Sequence, residues 1–102
     1  MIPYSLRPRA KEDLTDIADY TFDTWGADQE ELYLRMLQRS LESLSKNPTL
    51  GRPIDEVIPG LRRLLAGQHI ILYFASDKLV DIARILHHSM DITKYSDDLA
   101  NH

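Results

Sequence analysis

The chain has 102 residues, of which 43% are hydrophobic and 27% charged, and its formal net charge at pH 7 is −4. Cysteine is absent, which excludes disulfides and thiolate metal sites, and no apolar run approaches the roughly 18 residues needed to cross a bilayer. We therefore expect one cytoplasmic domain over residues 1–102 with no membrane segment, and the acidity argues against non-specific nucleic-acid binding.

The first predicted elements are a short strand and a long amphipathic helix. Tyr4 to Leu6 suits an edge strand, and Pro8 suits the first turn of a helix because that position needs no N–H donor. Glu12 and Asp13 are placed in the same first turn, where the helix dipole favours acids, and Gly26 ends the helix. The apolar stripe, which assigns both of its aromatic residues to the core, is Leu14, Ile17, Ala18, Thr21, Phe22 and Trp25.

A second helix begins almost at once. Asp28 and Glu31 stand three residues apart and match an Asp variant of the capping box. Asn47 precedes Pro48 and is pushed out of the helical region, so the helix is predicted to end there. Because the connection is short, the two helices should form an antiparallel hairpin. The buried stripe of the second helix is Tyr33, Leu37, Leu41 and Leu44.

A loop over residues 48–60 separates the helices from three predicted strands. We expect the apolar residues of this loop, Leu50, Ile54, Val57 and Ile58, to hold it against the core. The predicted strands are Leu61 to Ala66, His69 to Ala75 and Leu79 to His87, with a tight turn at Gly67-Gln68. Together these elements predict an α+β fold, with an N-terminal edge strand and a helical hairpin packed on a mostly antiparallel sheet that ends in a three-stranded meander.

Alternation along the last strand predicts which of its residues share a face. Val80, Ile82, Arg84 and Leu86 should lie on one face, and Leu79, Asp81, Ala83, Ile85 and His87 on the other. Beyond this strand, the tail from Asp91 onward predicts a short helix over residues 92–99.

Short motifs are spread over nearly the whole chain. They are Tyr4-Ser5-Leu6, Pro8-Arg9-Ala10 with Asp13-Leu14 and Ile17, Trp25-Gly26, Gln29, Tyr33, Asn47-Pro48, Leu50-Gly51-Arg52-Pro53, Pro59-Gly60-Leu61-Arg62-Arg63, Gly67-Gln68-His69, Tyr73, and Arg84-Ile85-Leu86-His87 with Met90-Asp91. In this order and spacing, they resemble the ParE branch of the RelE/ParE superfamily of bacterial toxins.

The resemblance implies a RelE/ParE-like α+β domain that is the toxin component of a type II toxin–antitoxin system. It implies two partners, a ParD-like antitoxin whose disordered carboxyl-terminal part folds across the toxin, and DNA gyrase, which members of this branch are described as inhibiting. Such members act by binding and turn over no substrate. The resemblance therefore implies a hetero-oligomer with the antitoxin, no catalytic residue, no cofactor, and no direct specific nucleic-acid binding by the toxin alone.

Several charged and polar residues are candidates for contact with the antitoxin or the target. Arg62 and Arg63 are adjacent on a strand, so one can cover apolar surface while the other pairs with a partner's carboxylate. For Arg84, a structural salt bridge is favoured over target contact, with Asp91 or a loop acid as its partner. The other candidates are His87, Met90 and Asp91 at the carboxyl-terminal end of the sheet, and Asp16, Asp19 and Asp23 of the first helix. We expect the three acids of the first helix to meet basic residues of the antitoxin.

The histidines leave a catalytic alternative open. Imidazole suits acid–base chemistry on RNA, so Arg62 or Arg63, with Arg84 and either His87 or His88, resembles the set expected of a ribosome-dependent mRNA endonuclease of the RelE branch. The few bases on the sheet disfavour this alternative, and the favoured role of His87 is a hydrogen bond that locks the sheet to the tail. Adjacent histidines diverge on a strand, so no metal site is predicted.

Besides the gyrase inhibitor and the nuclease, a third hypothesis is an inactive or specialised member of the family that only binds its antitoxin.

Overall fold

A short first strand is followed by two long helices, a loop and a meander of three strands. The computed structural model describes residues 1–101. The elements are β1 (Tyr4–Leu6), α1 (Pro8–Trp25), α2 (Ala27–Lys46), β2 (Arg52–Pro53), β3 (Leu61–Ala66), β4 (His69–Ala75), β5 (Val80–His87), a 3₁₀ helix (Ile92–Tyr95) and α3 (Ser96–Ala100).

In the described part of the chain, the strands form a five-stranded sheet in the order β1-β5-β4-β3-β2. β1 is parallel to β5, and every other pair is antiparallel. The predicted α+β class, the edge position of β1 and the mostly antiparallel meander are confirmed. β2 was not predicted, because two residues are too few to show a strand period.

The two faces of the sheet are covered by different parts of the chain. The helical hairpin packs on one face, where Leu37 and Leu41 of α2 meet Ile71 and Tyr73 of β4. The loop before β3 and the tail cover the opposite face, and Leu99 of α3 is fully buried there. The loop therefore lies on the core as predicted, through Ile54 and the half-buried Val57 and Ile58, whereas Leu50 is exposed.

A bulge in β5 makes the predicted alternation of this strand wrong. Leu72 of β4 lies opposite Arg84, but the next residue, Tyr73, lies opposite Ile82, so Ala83 is extra. One extra residue changes the face on which all later side chains lie. Ile85 therefore joins Ile82 in the core under the helices, whereas Leu86 joins Ala83 in the core under the tail.

The carboxyl-terminal turn of α1 extends past the part of the helix that packs on the core. Thr21 is the last buried residue of this helix, whereas Phe22 is 52% exposed and Trp25 is 69% exposed. The prediction that both aromatic residues belong to the core is therefore wrong. The helical period predicts which residues form the stripe, but it carries no information about where the neighbouring sheet ends.

Across residues 1–101, neither long helix combines the length and apolar character that a membrane-spanning helix requires.

The structure changes which residues lie in the first turn of each long helix. Pro8 is in the first turn of α1, as predicted, but Glu12 and Asp13 lie beyond that turn, so their predicted placement is wrong. α2 begins at Ala27 with Gly26 as its N-cap, and no side chain caps it, so the predicted capping box of Asp28 and Glu31 does not form. Gly26 adopts a φ of 90°, a conformation open mainly to glycine, and this allows a single residue to join the two helices.

Candidate functional site

A buried ion pair joins the first helix to the sheet. Arg84 and Asp13 are 7% and 9% exposed. The guanidinium of Arg84 donates to both carboxylate oxygens of Asp13, from Nε to Oδ2 and from Nη2 to Oδ1, each at 2.8 Å. Oδ2 of Asp13 also accepts the backbone N–H of Ile85 at 2.9 Å. β1 pairs with β5 only as far as Ile82, so Asp13 satisfies a donor on the strand edge that β1 leaves open.

The same arginine holds the tail. Its Nη1 donates to Oδ2 of Asp98 at 2.8 Å, and its guanidinium carbon lies 5.2 Å from the centre of the Tyr95 ring. The hydrogen bonds to Asp13 are the main reason that the pKa of Arg84 is raised above its ordinary value, so it stays charged although buried. The partners of Arg84 are therefore Asp13 and Asp98, and the prediction of Asp91 or a loop acid is wrong.

Arg7, which the sequence reasoning did not single out, fastens the tail from the other side. Its guanidinium forms a salt bridge with Asp81 at 2.8 Å and donates from Nη1 to the carbonyl oxygen of Leu99, also at 2.8 Å. Two arginines thus fix the position of α3 relative to the sheet.

A cleft of about 800 Å³ lies between α1, the start of α2, the β3–β4 turn and the end of β5. Its wall includes Tyr20 and Trp25 of α1, whose side chains are 67% and 69% exposed. Asp16 and Met90 also line the cleft, and Met90 is 44% exposed. An open cleft with exposed aromatic rings and an acid at its wall is suited to holding a protein segment.

Histidines and a tyrosine meet at one end of this cleft. The Tyr33 hydroxyl accepts the N–H of Gln68 at 2.8 Å, which leaves its own proton for Nδ1 of His69 at 2.6 Å. The ring of His69 lies edge-on to that of His87, with 5.5 Å between their centres, and the rings of His87 and His88 are 4.5 Å apart. The prediction that the two adjacent histidines diverge is wrong, because β5 ends at His87 and the chain turns there.

The surroundings change the acid–base properties of this group. Burial lowers the pKa of His69 below its usual value, and the neighbouring His87 and His88 lower it further, against a smaller opposing effect of Asp13. Burial also raises the pKa of Tyr33. His69 therefore favours its neutral form in the folded protein.

His87 and the residues after it form a local network at the end of β5. Ser89 donates its N–H to Nδ1 of His87 at 3.2 Å, and the Ser89 hydroxyl lies 2.7 Å from the same atom. The predicted bond of His87 therefore forms, but to the turn after β5 and not to the tail. Asp91 accepts the N–H and hydroxyl of Thr93, and the hydroxyl bond is the main cause of the lowered pKa of Asp91.

The two adjacent arginines of β3 have different surroundings. Arg62 donates from Nη1 to the carbonyl oxygens of Gly51 at 2.7 Å and Thr49 at 3.3 Å, so it holds the loop before β3. Tyr73 holds the same loop, because its hydroxyl accepts the N–H of Gly51 and donates to the carbonyl of Pro48, each at 2.8 Å. Arg63 has no carboxylate within 4.0 Å among residues 1–101.

The structure does not assemble the set of residues expected of an RNA nuclease. Arg63 and His87 are three residues apart along the strands and two strands apart across the sheet, or roughly 14 Å by ordinary strand spacings. Arg84 and Arg62 are engaged within the protein. In the described residues, no group of three histidine, cysteine or acidic side chains is placed to bind a metal ion.

The predicted acids of α1 are available to a partner. Asp16, Asp19 and Asp23 are exposed, and none forms a salt bridge with another described residue.

Sequence reasoning missed the role of Asp13 as a buried ion-pair partner, although the signal was present. An acid three residues after Ala10 and four before Ile17, both buried, lies on the buried face of the helix and needs a buried partner.

Comparison with known proteins gives a consistent assignment. Residues 4–92 match a family model described as the ParE toxin of the type II toxin–antitoxin system parDE. A protein named Toxin ParE1 from Mycobacterium tuberculosis (strain CDC 1551 / Oshkosh) is 42% identical over 92 residues, which cover 89% of this chain and 94% of that protein. Toxin ParE1 of Caulobacter vibrioides is 40% identical over 91 residues, with the same two shares.

A more distant relative and a solved structure extend the comparison. Toxin ParE of Escherichia coli is 30% identical over 102 residues, which cover 97% of this chain and 98% of that protein. A solved chain of the chromosomal ParDE TA system from P. aeruginosa has a TM-score of 0.74 at 22% identity, over 85% of this chain and 96% of that one. At this identity, the structural likeness supports the fold.

We predict that Asp13→Ala destabilises the protein by about 3 kcal/mol, because it leaves the buried Arg84 and the N–H of Ile85 without their main acceptor. The matched control is Glu12→Ala, since the neighbouring Glu12 has a side chain that is 70% exposed and should change stability by no more than about 0.5 kcal/mol. Urea unfolding of both variants measures the difference. Equal losses would show that the pair contributes no more than a surface contact.

We also predict that His69 makes stability depend on pH. The unfolded histidine has a pKa of about 6.5, so when the pH falls from about 7.5 to about 5.5 the unfolded chain binds more protons at this site than the folded protein. Folding stability should therefore fall over this interval. His69→Gln should show a smaller loss over the same interval in urea titrations. The prediction fails if the variant and the unmodified protein lose stability equally.

Proposed function

The chain belongs to the ParE toxin family of type II toxin–antitoxin systems, and we propose that it inhibits DNA gyrase and is neutralised by a ParD-like antitoxin. The observation that carries the proposal is the family match over residues 4–92. In this proposal, residues 1–102 form one toxin domain, which acts in the cytoplasm and forms a hetero-oligomer with its antitoxin.

A binding mode of action is supported by how the candidate catalytic side chains are used. Both Nε and Nη2 of Arg84 donate to Asp13, and its Nη1 donates to Asp98. Arg62 holds loop carbonyls, and Arg63 lies roughly 14 Å from His87 by ordinary strand spacings. A nuclease needs positively charged side chains that hold phosphates beside its acid–base groups, and these arginines are not placed to do so.

The antitoxin is proposed to occupy the cleft beside α1. The cleft has apolar and aromatic walls, and three exposed acids follow the outer surface of the helix. A partner segment with apolar anchors and basic residues is complementary to both features. Its lysine or arginine side chains can also stack on the exposed rings of Tyr20 and Trp25, and each such contact contributes ~0.5–1 kcal/mol.

The target assignment is tested by a gyrase supercoiling assay with purified protein. We expect supercoiling to fall as the chain is added and to recover when the cognate antitoxin is supplied. Unchanged supercoiling at a large excess of the chain would contradict the proposal. Growth arrest with cleaved transcripts, abolished by His87→Ala or His88→Ala, would instead favour the RelE-branch nuclease. Normal growth without antitoxin would favour a chain that only binds its antitoxin.

The antitoxin site is tested by replacing Asp16, Asp19 and Asp23 together with asparagine. Because opposite charges strengthen association most at low salt, antitoxin affinity should fall by ~10-fold or more at low ionic strength, and its dependence on salt should weaken. The matched control is the triple variant Glu42→Gln, Glu56→Gln and Asp77→Asn, which makes the same change in net charge at exposed positions elsewhere. Equal affinity of the two variants would contradict the assignment of the acids.

A further inference from the structure

The edge of the sheet formed by β2 and β3 carries two arginines that face each other. Arg52 lies directly opposite Arg63 in the register of these strands. Directly opposed residues share a face, with their Cβ atoms about 5 Å apart, and like charges at such positions are destabilising. Neither arginine has a carboxylate within 4.0 Å among residues 1–101. Of the acids that follow in the loop, Asp55 accepts the N–H of Gly60.

The strand beside this pair has an open edge. β2 pairs only with Arg62 and Arg63, so no described strand pairs with the outer edge of β3 from Leu64 to Ala66. Leu65 is 62% exposed and lies two residues after Arg63, on the same face of the sheet. Unpaired strand edges beside exposed leucines readily accept another strand.

We propose that this basic edge, consisting of Arg52, Arg63 and the open edge of β3 at Leu65, binds an extended acidic segment of the toxin's target protein. Such a segment adds to the sheet through its backbone and covers Leu65 with an apolar side chain. Its carboxylates neutralise the opposed arginines, whose planar guanidinium groups suit paired hydrogen bonds to carboxylate.

A protein segment fits this edge better than nucleic acid does. The chain carries a net charge of −4, which disfavours association with the polyanionic backbone of nucleic acid. An added protein strand can pair with the open strand edge and cover the exposed leucine, whereas binding of a nucleic-acid duplex would use neither feature.

The assignment to the target rests on the proposed function, in which the antitoxin occupies the acidic side. α1 packs on β5 and β1, at the opposite edge of the sheet from β2. The two edges are four strand spacings apart, or about 19 Å. A basic segment bound along α1 leaves the arginines without a counter-charge, so the basic edge remains available to a second partner.

The test is the double variant Arg52→Glu and Arg63→Glu, compared with the matched variant Arg39→Glu and Lys78→Glu. The control makes the same change in charge at exposed residues that form no salt bridge in the described structure. A third variant, Leu65→Gln, alters the edge without changing charge at a position that is 62% exposed. Each variant is assayed for gyrase inhibition, for growth arrest without antitoxin, and for antitoxin affinity.

We expect the double variant to need ~10-fold more protein for half-inhibition of gyrase, with a smaller loss in Leu65→Gln and a change of no more than ~2-fold in the control. Antitoxin affinity should stay within ~2-fold in all three variants. Undiminished inhibition by the double variant, an equal loss in the control, or a loss of antitoxin affinity instead would each overturn the inference. So would binding of a plain DNA duplex that the double variant abolishes.

The two proposals fail in different ways. If the unmodified chain leaves gyrase unaffected, the target assignment is wrong, and growth arrest then decides the role of the basic edge. Loss of arrest in the double variant alone would support an acidic segment of another target protein, whereas retained arrest would overturn the inference. An unmodified chain that arrests no growth would overturn both.

Discussion

The ion pair between Asp13 and Arg84 is the interaction on which the arrangement of the layers depends. α1 contributes Asp13, the sheet contributes Arg84, and the tail contributes Asp98 as the second acceptor of the same guanidinium. Removing two charges from water is costly, and this cost is offset only where the geometry is good and the remaining donors and acceptors are satisfied. Both conditions hold, since no buried side-chain nitrogen or oxygen in the described residues lacks a partner.

This pair also explains why β5 can extend so far past β1. The short first strand leaves the outer edge of β5 open after Ile82, and a buried N–H at Ile85 would be unpaired there. Asp13 accepts that N–H, and Arg84 donates two hydrogen bonds to the same carboxylate. With α1 fixed at this point, its final turn extends past the core and exposes Trp25 beside the cleft. The exposed wall of the cleft thus follows from how the helix is anchored.

The sequence was sufficient to predict the order of the elements, because hydrophobic periodicity and turn residues report local structure well. It was insufficient wherever a second segment decides the outcome. The bulge at Ala83 depends on the register with β4, and the exposure of Phe22 and Trp25 depends on where the sheet ends. Asp13 was assigned to the helix dipole, although its spacing of three residues from Ala10 and four from Ile17 places it on the buried face of the helix. Of the candidate site residues, Asp16, Asp19 and Asp23 were correctly placed on α1, and the partners of Arg84 required the fold.

The separation of charge on this protein has a physical consequence for how two partners can share it. In water at physiological salt, charges are screened over about 8 Å, which is less than the width of the sheet. The acids of α1 and the arginines of the β2–β3 edge therefore act on a partner as nearly independent surfaces, and each attracts a segment of opposite charge. In the proposed function, the antitoxin and the target can therefore keep their contacts distinct, because a segment complementary to one edge is repelled by the other.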